Sequence, residues 1–196
     1  MVSTDVLRNR DGSVAARVVE RRVGFFDVEL YLIDGPKPVR VALPTFASLR
    51  GFVDGQMIFT VQDKWKGFQQ GALVAVDLEG ARKAPDKPET VATLVMQPSS
   101  SQTIDSVEVT RDTVVVQMLD NVKGAIEVYK RNAGGWKGQR LALPESSSLT
   151  VRAAQESGSL LFVTSESFLE PTRLWSIDVA KGKPALVTSL PAKFRA

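Results

Sequence analysis

Glu29-Leu-Tyr-Leu-Ile-Asp34, Ala72-Leu-Val-Ala-Val-Asp77, Ala125-Ile-Glu-Val-Tyr-Lys130 and Arg173-Leu-Trp-Ser-Ile-Asp178 are four versions of one apolar hexamer. They begin at residues 29, 72, 125 and 173, spacings of 43, 53 and 48. Propeller blades repeat at roughly 40 to 50 residues, so the spacing matches one hexamer per blade. Each hexamer is followed by a turn and a run that ends near a proline, at residues 39–44, 91–98, 139–144 and 185–191. Two further apolar runs precede each of the last three hexamers: 48–53 with 57–61, 104–109 with 113–118, and 149–154 with 160–164. Before the first hexamer lie 13–19 and a weaker run at 5–9.

Four runs per unit in fixed order describe an antiparallel four-stranded blade. The reading is therefore all-β: a β-propeller fragment of about four four-stranded antiparallel blades, one domain over 1–196, with blades at about 5–44, 45–98, 99–144 and 145–191. Helical periodicity is nearly absent, and Gly, Asp, Asn and Pro punctuate the apolar runs. A β-sandwich with evenly spaced strands is the competing architecture. Self-similarity at near-constant phase favours the propeller.

Composition narrows the chemistry. With 196 residues and 43% hydrophobic content, the chain is long enough to bury a substantial core. It has no cysteine and no histidine. Disulfides, thiolate metal sites and cysteine nucleophiles are excluded, and so is a Ser-His-Asp triad within this chain. No cofactor or metal is expected. The 25 basic and 22 acidic residues are dispersed, and a net charge of +3 without a basic block gives no footprint for nucleic acid. No run has the apolar length of a membrane span, and residues 1–10 lack a signal-peptide apolar region. A soluble chain is expected, cytoplasmic or periplasmic, with no membrane partner.

Leu119-Asp-Asn-Val-Lys-Gly-Ala-Ile-Glu-Val-Tyr129 and Leu161-Phe-Val-Thr-Ser-Glu-Ser-Phe-Leu-Glu-Pro-Thr-Arg-Leu-Trp175 carry a resemblance. They resemble the last two propeller blades of prolyl oligopeptidase-family serine peptidases. In that family a leucine-aspartate-asparagine-valine-type segment opens strand c of the penultimate blade, and a Ser-Phe-Leu-x-Pro segment links strands b and c of the last. Residues 21–32 and 59–65 look like the middle blades of bacterial members. The resemblance implies the C-terminal four blades of a seven-bladed propeller that caps an α/β-hydrolase domain holding the whole triad. This chain has no G-x-S-x-G elbow, and Ala196 falls about where the hydrolase would begin.

The implied function is non-catalytic: restricting peptide access to an active site on that hydrolase domain, with the hydrolase and peptide substrates of the parent as partners. The alternative is a free-standing propeller scaffold that binds another protein, and an enzymatic role for this chain alone is the weakest reading. Open blade edges also predict self-association.

In such a blade the b–c loop and the connector to the next blade share one end, opposite the a–b and c–d turns. The b–c loops over 62–71, 120–124 and 165–172 are therefore the candidates for docking a hydrolase or admitting a peptide. Within them Trp65, with Asp63 and Lys64, is read as an exposed contact aromatic, joined by Asp120, Lys123, Glu166 and Phe168. Trp136 and Trp175 are expected to pack, at a blade edge and between blades. The serines at 99–101 and 146–148 read as connectors, and Glu166 and Glu170 as solvated loop charges. Asp34, Asp77 and Asp178 read as turn caps.

Overall fold

A computed structural model describes residues 1–191. Sixteen strands form four antiparallel four-stranded sheets, each a simple meander in chain order. The first sheet contains β1 (Val2–Arg8), β2 (Val14–Arg22), β3 (Val28–Leu32) and β4 (Val39–Val41). The second contains β5 (Ala47–Val53), β6 (Gln56–Val61), β7 (Leu73–Asp77) and β8 (Ala92–Met96). β9 (Gln102–Val109), β10 (Thr113–Asp120), β11 (Lys123–Asn132) and β12 (Gly135–Arg140) make the third. The fourth is β13 (Ser148–Ala154), β14 (Leu160–Glu166), β15 (Arg173–Asp178) and β16 (Lys183–Ser189). Every hexamer has most of its residues in the third strand of its sheet, the c position of a propeller blade.

The chain divides into a unit over Met1–Gln97, with the first two sheets, and a unit from Pro98 onward, with the last two. In the first unit, alternate residues of the first sheet face inward: Leu7, Ala16, Val18, Leu30, Leu32 and Val41 are buried. They pack with Met57, Phe59, Val61, Val74 and Val76 of the second sheet in one apolar cluster. This is the period-two pattern of a strand with one covered face. The other face of the first sheet is mixed, with Val2 and Val6 exposed beside charged residues. There the Glu29 carboxylate accepts the Tyr31 hydroxyl at 2.8 Å and pairs with Arg21 at 2.7 Å and Arg40 at 3.3 Å. The tyrosine hydrogen bond, followed by the arginines, holds Glu29 below the usual carboxylate pKa.

In the second unit Val115, Ile126, Val128 and Leu141 pack with Leu149, Leu161, Val163, Ile177 and Val179. Gln117 links the two sheets, accepting the Val151 amide at 2.8 Å and donating to Asp105. Trp175 packs against this cluster and donates its indole N–H to Ser165 at 2.9 Å.

Three local features depart from the sequence reading. First, the long 53-residue spacing contains a helix, α1 (Leu78–Lys83), then a 3-10 turn over Pro88–Val91. Asp77 caps α1 by accepting the Gly80 amide at 2.7 Å. Second, Asp34 is an ion-pair partner where a turn cap was expected: Arg82 of α1 donates to both of its oxygens, at 2.6 and 3.0 Å. A guanidinium fork offers two aligned charge-assisted bonds, a stronger match than one backbone amide. Third, the last strand of the third sheet ends at Arg140, whereas the run at 139–144 was read as that strand. Gly135, at φ 111°, turns the chain directly out of β11, so β12 pairs early and 141–144 becomes connector.

Candidate functional site

In a four-stranded meander the link between the second and third strands lies at one end of the sheet, with the end of the fourth strand beside it. In the fourth sheet this is directly visible: Ser189 of β16 pairs with Arg173 of β15, and the Leu190 amide bonds the Thr172 carbonyl at 2.9 Å. The four b–c loops span 23–27, 62–72, 121–122 and 167–172. Every exposed large apolar side chain in a loop joining two strands of one sheet belongs to these: Val23, Phe25, Phe26, Val122, Phe168 and Leu169. The a–b and c–d turns carry none among the described residues.

In the first unit, the loop at 62–72 corrects one expectation. Asp63 and Lys64 are exposed, but Trp65 is only 7% exposed. Its indole stacks on Phe68, with ring centroids 5.6 Å apart, and closes the apolar cluster of the unit. Reciprocal backbone bonds between Trp65 and Phe68, at 3.1 and 2.8 Å, fold the loop back as a small hairpin. Burying so large a ring stabilises more than leaving it in water, and the tight turn at Lys66-Gly67 lets it reach the core. The exposed aromatics of this unit lie one loop earlier. Phe25 and Phe26 are 81% and 65% exposed and meet edge to face at 4.6 Å. Their signal in the sequence is an aromatic doublet, Gly24-Phe-Phe-Asp27, placed between two strands and out of phase with their alternation.

In the second unit, two b–c loops and a connector enclose a groove of about 510 Å³. Leu119, Val122 and Phe168 supply apolar lining, Lys123 and Glu166 charged lining, and Gly124 with Ser146, Ser147, Ser148 and Ser167 the rest. Asp120 lies beside it, held by Arg140 at 3.1 Å. Glu166 faces Arg152 at 3.7 Å, and Glu170 pairs with Arg173 at 2.9 Å. Ser167 anchors its loop by accepting the Glu170 amide at 3.0 Å, which leaves the Phe168 ring wholly in solvent. The structure thus brings Lys123, Glu166 and Phe168 to one groove.

Ser147 is buried, and its carbonyl is occupied by the Gly124 amide at 3.1 Å. Among the described residues no group of three or more acidic, histidine or cysteine side chains is placed to hold a metal, and no helix is long and apolar enough to cross a membrane. The b–c loops thus present exposed apolar side chains beside ion-paired charges.

A family model described as the prolyl oligopeptidase N-terminal beta-propeller domain matches residues 14–189. An uncharacterized peptidase of Sinorhizobium fredii, y4nA, is 34% identical over 200 residues, an alignment that covers 97% of this chain and 27% of that relative. A post-proline cleaving enzyme from Rickettsia typhi superposes with a TM-score of 0.84 at 18% identity, over 99% of this chain and 29% of that one. Oligopeptidase B from Trypanosoma brucei superposes with a TM-score of 0.68 at 17% identity, over 96% and 27% of the two chains. These solved structures share the fold. The chain spans little more than a quarter of the length of its relatives.

Proposed function

The chain belongs to the prolyl oligopeptidase N-terminal β-propeller family, and we propose that it is the non-catalytic propeller part of a serine peptidase, restricting peptide access to an active site on an α/β-hydrolase domain. The observation that carries the reading is that, within each unit, the exposed large apolar residues of loops joining strands of one sheet lie on b–c loops. Phe25, Phe26, Val122, Phe168 and Leu169 all lie on b–c loops. Exposed apolar area concentrated at one end of a sheet marks a contact surface, whereas scattered residues do not. The fourth strand of the last sheet also finishes beside the loop that carries Phe168, so a domain continuing from it would start at this end. Peptides reaching such a domain would pass the same loops.

Phe168→Ala tests this end. In the full-length gene product the substitution is expected to loosen the hydrolase contact and alter peptide turnover. In the isolated chain it should leave the thermal midpoint almost unchanged, because the ring is wholly exposed. Lys181→Ala, in a c–d turn, should change neither property. Unfolding of the isolated chain by Phe168→Ala would make Phe168 a core residue and remove it from the docking surface. A full-length product without a hydrolase part would leave a free-standing scaffold as the better description.

A further inference from the structure

Asn121 and Val122 form a two-residue hairpin turn, because Asp120 and Lys123 on either side are the last paired residues of β10 and β11. Both central residues have positive φ, 49° and 61°. That is the type I′ pattern, whose second position belongs to glycine. Asparagine tolerates the left-handed region, but a β-branched residue there is a steric outlier. Val122 is also 92% exposed. The chain therefore accepts backbone strain for a side chain that gains no burial within the chain in return. Strain of this kind persists where a function retains it.

Val122 lines the groove together with Leu119 and Phe168. Gly124 lets β11 approach the connector closely, since a Cβ there would meet the Leu149 nitrogen and the Ser147 oxygen, each at 2.7 Å. Lys123 and Glu166 carry opposite charges in the lining, so the groove has no net preference for an anionic or a cationic chain. A volume of about 510 Å³ holds one or two large side chains. Resting on the docking reading above, we infer that Val122 is a strained anchor residue, and that its groove receives an apolar side chain from the hydrolase part of the parent peptidase. The length of the relatives supports that occupant, since only 27% of y4nA is matched by this chain.

The test is Val122→Gly, made both in this chain and in the full-length product, beside Asn121→Gly, which changes the same turn and keeps the valine. Val122→Gly should raise the thermal midpoint of the isolated chain by about 2–4 °C, the shift that relief of such strain gives a domain of this size. In the full-length product it should expose the linker between propeller and hydrolase, with limited proteolysis there faster by about tenfold. Asn121→Gly should leave the linker protected. An unchanged or lower midpoint overturns the strain. A linker that is protected in the wild type and equally protected in Val122→Gly overturns the anchor while leaving the docking reading in place. A change confined to KM for long peptides would make substrate the occupant and overturn the assignment to the hydrolase.

Discussion

Tyr129 shows how a side chain of the repeated hexamer serves stability alone. It is buried, its ring lies over Gly138, and its hydroxyl donates to Glu127 at 2.6 Å. Burial, and then the hydrogen bond to Glu127, push its pKa up from the ordinary value. The folded state thus holds the phenol proton more tightly than the unfolded chain, whose tyrosine titrates near pH 10. This contribution is fully present below about pH 10 and is lost as pH rises toward the folded value. Denaturant midpoints measured from about pH 8 to 11.5 should fall at the alkaline end, and Tyr129→Phe should flatten that fall while losing about 1 kcal/mol at neutral pH. An equally steep alkaline fall in Tyr129→Phe would show that other groups cause it. The residue scale is also where the sequence was least legible. Trp65 and Phe25 both sit in Gly-containing loops between strands, and composition does not tell a ring that folds back onto the core from one left in water. The hairpin that folds Trp65 back onto Phe68 and the core separates them.

At the scale of elements, strand identity was legible because the apolar runs have the period and length of strands, and the hexamer fixed which strand was third. Two features stayed hidden. One is the bulge in the first strand of a sheet, where Arg50 and Arg152 are skipped by the pairing register. Each donates from Nε to a threonine of the next strand, Thr60 at 3.0 Å and Thr164 at 2.9 Å. Ser48-Leu-Arg50 and Thr150-Val-Arg152 repeat this device in the sequence, but two polar-apolar-basic triplets do not stand out among alternating residues. The other is α1, too short at six residues to show helical periodicity. Its signature was the cap, Asp77 three residues before Gly80. Gly80 is held to its size by Val91, whose Cγ1 and Cβ would lie 2.6 and 2.8 Å from an added Cβ. Gly80→Ala should therefore destabilise the chain despite the better helix propensity of alanine. Overpacking costs about 1–3 kcal/mol, against up to about 1 kcal/mol gained in propensity. A thermal midpoint that rises in Gly80→Ala would mean the 3-10 turn shifts freely to make room.

At the scale of the chain, the absence of histidine and cysteine excluded a triad or thiolate chemistry carried within it, and the repeat spacing indicated a propeller. The shared end of the b–c loops was legible only as topology, since a meander places b–c loops together at one end of each sheet whatever their residues. Which side chains are presented there depended on loop packing, and that decided for Phe168 and against Trp65. The central claim is that this chain shapes access to a catalytic centre without supplying one. Its most direct measurement is hydrolysis of a proline-containing peptide by the purified 196-residue chain and, in parallel, by the full-length gene product. The account predicts no turnover by the chain, and turnover by the full-length product that a serine-directed inhibitor abolishes. Turnover that tracks with the purified chain and survives that inhibitor would contradict it.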